Sequence, residues 1–279
     1  MDHEKVNPFI KWAGGKRWLV NSHPDIFPQK YNKYIEPFLG GGAVFFHIQP
    51  KKAILSDINL ELITTYKALQ TDWEMVIKLL QKHKKNHSQS YYYKIRSKIP
   101  FEEYKNNKYE EQQIAARFIY LNRTCFNGIY RVNKTGTFNV PIGTKSSIIY
   151  EKDNFENVSK TLQSAEILHD DFVTTINRSR KKDFIFADPP YTVSHNNNGF
   201  LQYNEKIFSW NDQIKLADSL TEAKNRGVKI ISTNANHSSI IKLYKNDGFR
   251  ITKVSRYSSI SANPDNRRQY GEIIIEANI

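Results

Sequence analysis

The chain has 279 residues, with 41 Lys+Arg against 28 Asp+Glu for a formal net charge of +13, and it is 39% hydrophobic and 13% aromatic. That composition can bury a sizeable core and excludes wholesale disorder, and at about 150 residues per domain it predicts one large domain or two small ones. One cysteine excludes a disulfide framework and any multi-cysteine zinc site. Met1-Asp2-His3-Glu4-Lys5 is followed by no apolar stretch of the kind that opens a secretory signal. No apolar run approaches the ~18 residues of a membrane span, and the mean hydropathy is −0.62. The expectation is a soluble cytoplasmic protein without a membrane partner. The positive balance favours a polyanionic partner, because Lys and Arg that neutralise phosphates release condensed counterions; a basic surface kept for solubility is the alternative that charge alone leaves open.

The first stretch alternates strand and helix signals. Tyr34 to Phe38 is a short strand candidate running into Leu39-Gly40-Gly41-Gly42, with a helix from Ala43 to Ile48. Ala53 to Asp57 is a second strand, and Asn59 opens a helix through about Gln70. Strand, glycine-rich turn, helix and a strand ending in an acid open a doubly wound, Rossmann-like α/β sheet. From about 60 to 160 that rhythm stops. Helices fit Trp73 to Lys82, Tyr91 to Ile99 and Gln113 to Leu121, while Asn127 to Val132 and Thr137 to Val140 flank Asn133-Lys134-Thr135-Gly136 as a β-hairpin. The rhythm resumes with strands at Glu166 to His169, Asp183 to Ala187, Val228 to Thr233, Arg250 to Arg256 and Glu272 to Glu276. Helices fit Val173 to Ser179, Asp212 to Asn225 and His237 to Lys245. The last two strands, joined by a polar loop, are expected to pair antiparallel at a sheet edge. The division expected is a catalytic domain of 1–59 and 161–279, interrupted by an inserted, mostly helical module at 60–160.

Asp188-Pro189-Pro190-Tyr191 is the strongest chemical signal, because it follows the apolar strand Phe184 to Ala187 at the end where α/β sheets place their ligands. Alkylating an exocyclic amine requires both N–H bonds to be accepted, so that the lone pair leaves the ring π-system. The Asp188 carboxylate can accept one hydrogen and the Pro189 carbonyl, directed by Pro190, the other. Tyr191 offers a face for stacking a purine. In Glu36 to Gly42, glycines after the first strand admit a ligand to the backbone, but counting G-x-G-x-x-G from Gly40 puts Phe45 where the last glycine belongs, which argues against NAD. Asp57 is placed to bind ribose hydroxyls or to cap the next helix. Lys11-Trp12-Ala13-Gly14-Gly15-Lys16 has Ile10 and Arg17 where a phosphate loop needs Gly and Ser or Thr. A Trp and a Lys around two glycines suit a cofactor with a ring and a carboxylate instead.

These motifs, in this order, resemble the Dam family of GATC-type DNA adenine-N6 methyltransferases, the D12 class, including its restriction-modification relatives. Lys11–Lys16, Glu36–Gly42, Ser56–Asn59, the inserted module and Asp188–Tyr191 carry the resemblance over nearly the whole chain. It implies S-adenosylmethionine as cofactor, double-stranded DNA as partner, no metal, and a flipped adenine within GATC as substrate. Trp12, Lys16, Asp57 and Asp188 match cofactor-lining positions, with Phe38, Gly40, Asp171 and Phe172 as neighbours. Asp171 would accept from the cofactor's adenine amine or, read locally, cap the helix that follows it. Leu121 to Asn133 and Phe138 to Gly143 resemble a hairpin that reads the major groove. There Arg131 matches an arginine that contacts guanine O6 and N7. Phe126 matches an aromatic inserted beside the extruded base, and Lys11, Asn127, Ile129 and Pro141 complete the DNA-binding set. A cognate restriction endonuclease, as a genetic partner, is left open.

Other candidates carry less. His83 and His87 stand four apart, but Lys84 replaces the glutamate of a zinc-protease motif, so a solvated helix face is expected. Cys125 lacks the preceding proline of cytosine-C5 methyltransferases and reads as structural. Lys82, Lys84 and Lys85 face phosphate or solvent, and Asn263 to Arg268 is a backbone-contact candidate. The rivals are a methyltransferase of another amine, whose families carry Asn or Ser in place of Asp188, and a catalytically dead DNA-binding regulator, against which the intact Asp188 argues.

Overall fold

The computed structural model describes residues 6–132, 137–192, 208–257 and 269–279. The expected turn at Asn133 to Gly136 and the loop Asn263 to Arg268 lie outside the described residues. In chain order the elements are α1 (Arg17–Ser22), β1 (Tyr34–Glu36), α2 (Ala43–Ile48), β2 (Ala53–Ser56), α3 (Leu60–Asn86), α4 (Gln89–Arg96), α5 (Pro100–Glu103) and α6 (Glu110–Thr124). There follow α7 (Phe155–Leu162), β3 (Ala165–Leu168), α8 (Phe172–Asn177), β4 (Phe184–Ala187), α9 (Trp210–Asn225), β5 (Lys229–Ala235), α10 (Ser238–Lys245), β6 (Arg250–Tyr257) and β7 (Gln269–Ala277). Two compact units divide the chain. One takes Met1–Val20, Gly40–Gln49 and Asn59–His169; the other takes Asn21–Leu39, Pro50–Ile58 and Asp170–Ile279.

In the second unit six strands lie in the order β2-β1-β4-β5-β7-β6. β2, β1, β4 and β5 run parallel, and β7 pairs antiparallel with both β5 and β6. Every residue of β1, β2 and β4 is buried, which is why these strands read as unbroken apolar runs rather than alternating ones. The chain passes from β1 outward to β2 and later returns to β4 on the other side of β1. The topological switch therefore lies between the carboxyl ends of β1 and β4. Phe38 follows the first of these ends and Asp188 the second. The antiparallel β6–β7 pair closes the edge, as the polar loop between the two strands predicts.

The first unit is mostly helical. Its longest element, α3, is divided in two at Asp72 (φ −154°, ψ 70°), whose carboxylate accepts from the Met75 N–H at 3.0 Å. Two helices meeting at 71–72 is the division the sequence pattern predicts. Asn59 caps the first of them, its side chain accepting from the Leu62 N–H. Arg117, on α6 and fully buried, donates to the Ile95, Arg96 and Lys98 carbonyls and pairs with Glu61 at 2.9 Å, satisfying the open end of α4.

Two expectations are corrected here. His83 is not on a solvated face. It is buried, stacked on Tyr120 at 4.8 Å and hydrogen-bonded through Nδ1 to the Tyr91 hydroxyl at 2.9 Å, while His87 Nδ1 meets the Tyr120 hydroxyl at 3.0 Å. Burial, and then the charges of Lys82, Arg117 and Lys98, pull the His83 pKa down to about 4. The hairpin is also less regular than expected. Phe126–Gly128 forms a 3-10 turn with Asn127 at φ 59°, and among the described residues the arms meet antiparallel at the isolated bridges Cys125↔Ile142 and Val132↔Phe138. A residue in the left-handed region cannot continue a strand ladder, so the arm starts beyond Asn127.

Candidate functional site

β4 ends at Ala187, and the next four residues, Asp188 to Tyr191, follow at the carboxyl end of the parallel strands. The Thr233 hydroxyl, on the neighbouring strand β5, donates to Asp188 Oδ1 at 2.7 Å. The Tyr191 hydroxyl donates to the buried Glu272 carboxylate on β7 at 2.7 Å. Burial, the nearby charges of Asp188 and Glu272, and the hydrogen bond to Glu272 hold the Tyr191 pKa well above its ordinary value, so the phenol stays a donor. The Pro190 carbonyl accepts from Gln213 Nε2 at 3.2 Å, and the buried Gln213 in turn accepts from Asn234. The Pro189 carbonyl, by contrast, meets no donor among the described residues. Pro190 thus restricts the direction of the Pro189 carbonyl, while its own carbonyl is used by the scaffold.

Beside this end of the sheet three aromatic rings pack together. Phe38 stacks on Phe172 with centroids 5.4 Å apart, and the buried Phe208 meets the first edge-on at 5.6 Å and the second at 5.4 Å. Phe38 and Phe172 remain half-buried, so each presents ring surface outward. The sequence pointed to both but not to Phe208, whose only signal is its place just before the Ser209 cap of α9. Asp57 follows β2 and is half-buried. The cap of α3 is Asn59, so the capping reading of Asp57 falls away. Ile58, next to Asp57, is 65% exposed, an apolar side chain held out beside an acid. Asp171 does cap α8: its Oδ1 accepts from the Val173 and Thr174 N–H groups and its Oδ2 from the Thr174 hydroxyl. Burial pushes its carboxyl upward, but those hydrogen bonds outweigh it and the pKa lies below the usual value.

In the first unit Trp12 packs on the glycine-rich turn. A Cβ built on Gly40 (φ +46°) would come within 2.6 Å of the indole Cδ1, so only glycine allows both the backbone and the close approach. The Trp12 ring also stacks with Tyr130 at 5.5 Å and Phe118 at 6.3 Å. Lys16 is buried and its ammonium donates to the Gly14 carbonyl at 2.9 Å. The Lys11 backbone is clamped by a buried amide: Asn122 Oδ1 accepts from its N–H at 2.9 Å and Asn122 Nδ2 donates to its carbonyl at 2.8 Å. Arg123, also buried, donates to the Phe9 and Ile148 carbonyls and pairs bidentately with Asp153. These two clamps were missed by pattern reading, since both tie residues more than a hundred positions apart.

The same clamps hold the irregular hairpin. The Lys11 ammonium donates to the Asn127 carbonyl at 2.9 Å, and the Phe126 N–H donates to the Pro141 carbonyl at 2.9 Å. A Cβ on Gly143 would meet the Cys125 carbonyl oxygen at 2.6 Å, so the return arm can approach only as glycine. Lys11, Phe126, Asn127 and Pro141 are therefore brought together, with Ile129 half-buried two residues on. Phe126 is 55% exposed, an aromatic ring that the core does not use. Arg131 is exposed, its Nε donating to Asn139 Oδ1 at 3.4 Å. Cys125 is buried and its thiol is pushed up to about 11 by that burial, which excludes a resting thiolate nucleophile and fits the structural role expected of it. Among the described residues no cluster of three or more His, Cys, Asp or Glu is placed to hold a metal ion. No helix among them is long and apolar enough to cross a membrane.

The family model of the D12 class N6 adenine-specific DNA methyltransferases matches residues 12–260 of this chain. The Type II methyltransferase M1.LlaDCHI of Lactococcus lactis subsp. cremoris is 36% identical over 280 residues, spanning 99% of this chain and 97% of that protein. The Type II methyltransferase M.MjaIII of Methanocaldococcus jannaschii is 36% identical over 95% of this chain and 96% of its own length. The DNA adenine methylase of Haemophilus influenzae is 33% identical over 97% of this chain and 93% of its own.

Proposed function

Because the chain belongs to the D12 class N6 adenine-specific DNA methyltransferases, we propose that it moves a methyl group from S-adenosylmethionine to the N6 amine of an adenine swung out of duplex DNA, within the sequence GATC. The observation that carries the reading is the arrangement after β4. One carboxylate is held in place by a neighbouring strand, and one of two consecutive proline carbonyls has no donor among the described residues. Asp188 accepts one N6 hydrogen and the Pro189 carbonyl the other, so the lone pair points out of the purine plane. Tyr191 stacks on the flipped base, its ring anchored through the hydroxyl on Glu272. Positioning and electrostatics supply the catalysis, with no covalent enzyme intermediate.

S-adenosylmethionine, when bound, supplies an electrophilic methyl group. The donor set of the second unit fits it: Asp57 at a strand end suits a ribose diol, and Phe38, Phe172 and the outward Ile58 offer apolar faces. Asp171 keeps lone-pair capacity on Oδ2 beyond its capping bonds and is proposed to accept from the cofactor's adenine amine. Trp12, Lys16 and Gly40 in the first unit are proposed as further cofactor contacts. On the DNA side, Arg131 reads a guanine, Phe126 fills the space the adenine leaves, and Lys11, Asn127, Ile129 and Pro141 border them. A protein that methylates DNA in this way works on the nucleoid, in the cytoplasm.

Methyl transfer from labelled S-adenosylmethionine to plasmid DNA, followed by nucleoside analysis and sequencing with modification detection, tests this reading. N6-methyladenine confined to GATC is expected. Label on cytosine, or none on DNA, overturns the activity; N6-methyladenine at another sequence overturns the recognition assigned to Arg131 and leaves the chemistry of Asp188 standing.

A further inference from the structure

We propose that Thr233 is a positioning residue for methyl transfer, acting through Asp188; the proposal rests on the N6-transfer reading above. Thr233 lies within β5, fully buried, and its backbone is paired to Ile274 of β7. A hydroxyl on a strand interior has no nearby carbonyl of its own segment to bond, as a helical one has. This one donates at 2.7 Å to Asp188 Oδ1, 45 residues away. It therefore ties the carboxylate that accepts from the adenine amine to the neighbouring strand.

The consequence is geometric. An aspartate carboxylate turns easily about its Cβ–Cγ bond, and a terminal torsion of this kind is broad and roughly two-fold. A charge-assisted hydrogen bond from a donor rigidly mounted on β5 removes that freedom before substrate arrives. The amine hydrogen then meets an acceptor already in orientation, so the ordering cost does not fall in the transition state. Side chains alternate along a strand, and the residue before Thr233 supplies an internal contrast. Ser232 is equally buried on the same strand, and its Oγ has no partner among the described residues. Of these two adjacent buried hydroxyls, on opposite faces of the strand, only the second reaches Asp188.

The experiment compares Thr233→Val, Thr233→Ser and Ser232→Ala in single-turnover methylation of an adenine-containing duplex, with separate titrations of S-adenosylmethionine and DNA. Removing a hydrogen bond to a charged group lowers the rate by about 10- to 100-fold. Thr233→Val is expected to show that loss, with both dissociation constants within about twofold of wild type. Thr233→Ser keeps the donor and is expected to recover to within about threefold of wild type. Ser232→Ala is expected to match wild type in rate and binding. Should Val disturb packing, as a lowered melting temperature would reveal, Thr233→Ala carries the same expectation in its place. A folded Thr233→Val enzyme that turns over at the wild-type rate overturns the proposal, and so does a serine variant no faster than the valine one. An inactive wild-type protein would instead overturn the methyltransferase reading, so the two failures are distinct.

Discussion

Replacing Asp153 with alanine would leave the Arg123 guanidinium, 3% exposed, without the carboxylate that now accepts from it at 2.5 and 3.0 Å. Breaking a buried ion pair from one side costs about 3–5 kcal/mol, because the remaining charge stays desolvated and uncompensated. Arg123 keeps two carbonyl acceptors and lies 4.6 Å from the Tyr150 ring centroid and 5.5 Å from that of Phe155. Those contacts hold part of the charge, so the lower end, about 3 kcal/mol, is expected. Glu156→Ala is the control. It removes a pair with Lys160 whose side chains are 54% and 67% exposed, and such a pair contributes about 0.3–0.5 kcal/mol. Urea unfolding followed by tryptophan fluorescence measures both. The double variant Arg123→Met/Asp153→Leu, which removes the charge altogether, should lie closer to wild type than Asp153→Ala does. If Asp153→Ala and Glu156→Ala were destabilised alike, the guanidinium would be satisfied by carbonyls and rings alone, and the reasoning from burial would fail.

Asp188→Ala should abolish methyl transfer while leaving melting temperature and DNA binding near wild type; more than trace activity in a folded variant refutes its role as amine acceptor. Arg131→Ala should lose about 1–3 kcal/mol of discrimination at one base pair of GATC, with lysine a poor substitute for the planar fork. Equal rate loss on duplexes altered at each position in turn would make Arg131 a backbone contact. His83 has a pKa lowered from 6.5 to about 4, so between those values the unfolded chain binds the extra proton. Its contribution is fully present above pH 6.5 and declines as pH falls toward 4. Urea midpoints at pH 7 and pH 5 should therefore differ less in His83→Phe than in wild type, and an equal difference would mean that the imidazole titrates normally.

Local pattern carried most of the framework. The positions of β1, β2 and β4, the break in α3 at Asp72 and the antiparallel pair at the sheet edge were all legible, while β1 stops at Glu36 and β2 at Ser56, short of the expected Phe38 and Asp57. Each is set by what a few consecutive residues can do: an unbroken apolar run, a capping side chain, a polar connection. The motifs were legible for the same reason, since Asp188 to Tyr191 and Glu36 to Gly42 are contiguous and placed by the strands they follow. Pattern misled where a residue's character depends on neighbours from elsewhere. His83 sits among lysines in the chain, yet Tyr91 and Tyr120 close over it in the fold. Asn127 lies in a stretch with strand-like composition, but its left-handed backbone ends the ladder there.

By itself, then, the sequence determined the alternation of strands and helices, the family and the motifs on which the proposed site rests, because each is written in spacing over a handful of positions. Tertiary structure alone decided which groups hold those residues still. Thr233 on Asp188, Glu272 on Tyr191, Asn122 on Lys11 and Arg123 on Phe9 span 45 to 114 positions. No periodicity reaches that far. A hydrogen bond between distant segments exists only once packing has excluded water and brought donor and acceptor together, and the same exclusion makes it strong enough to position a reacting group.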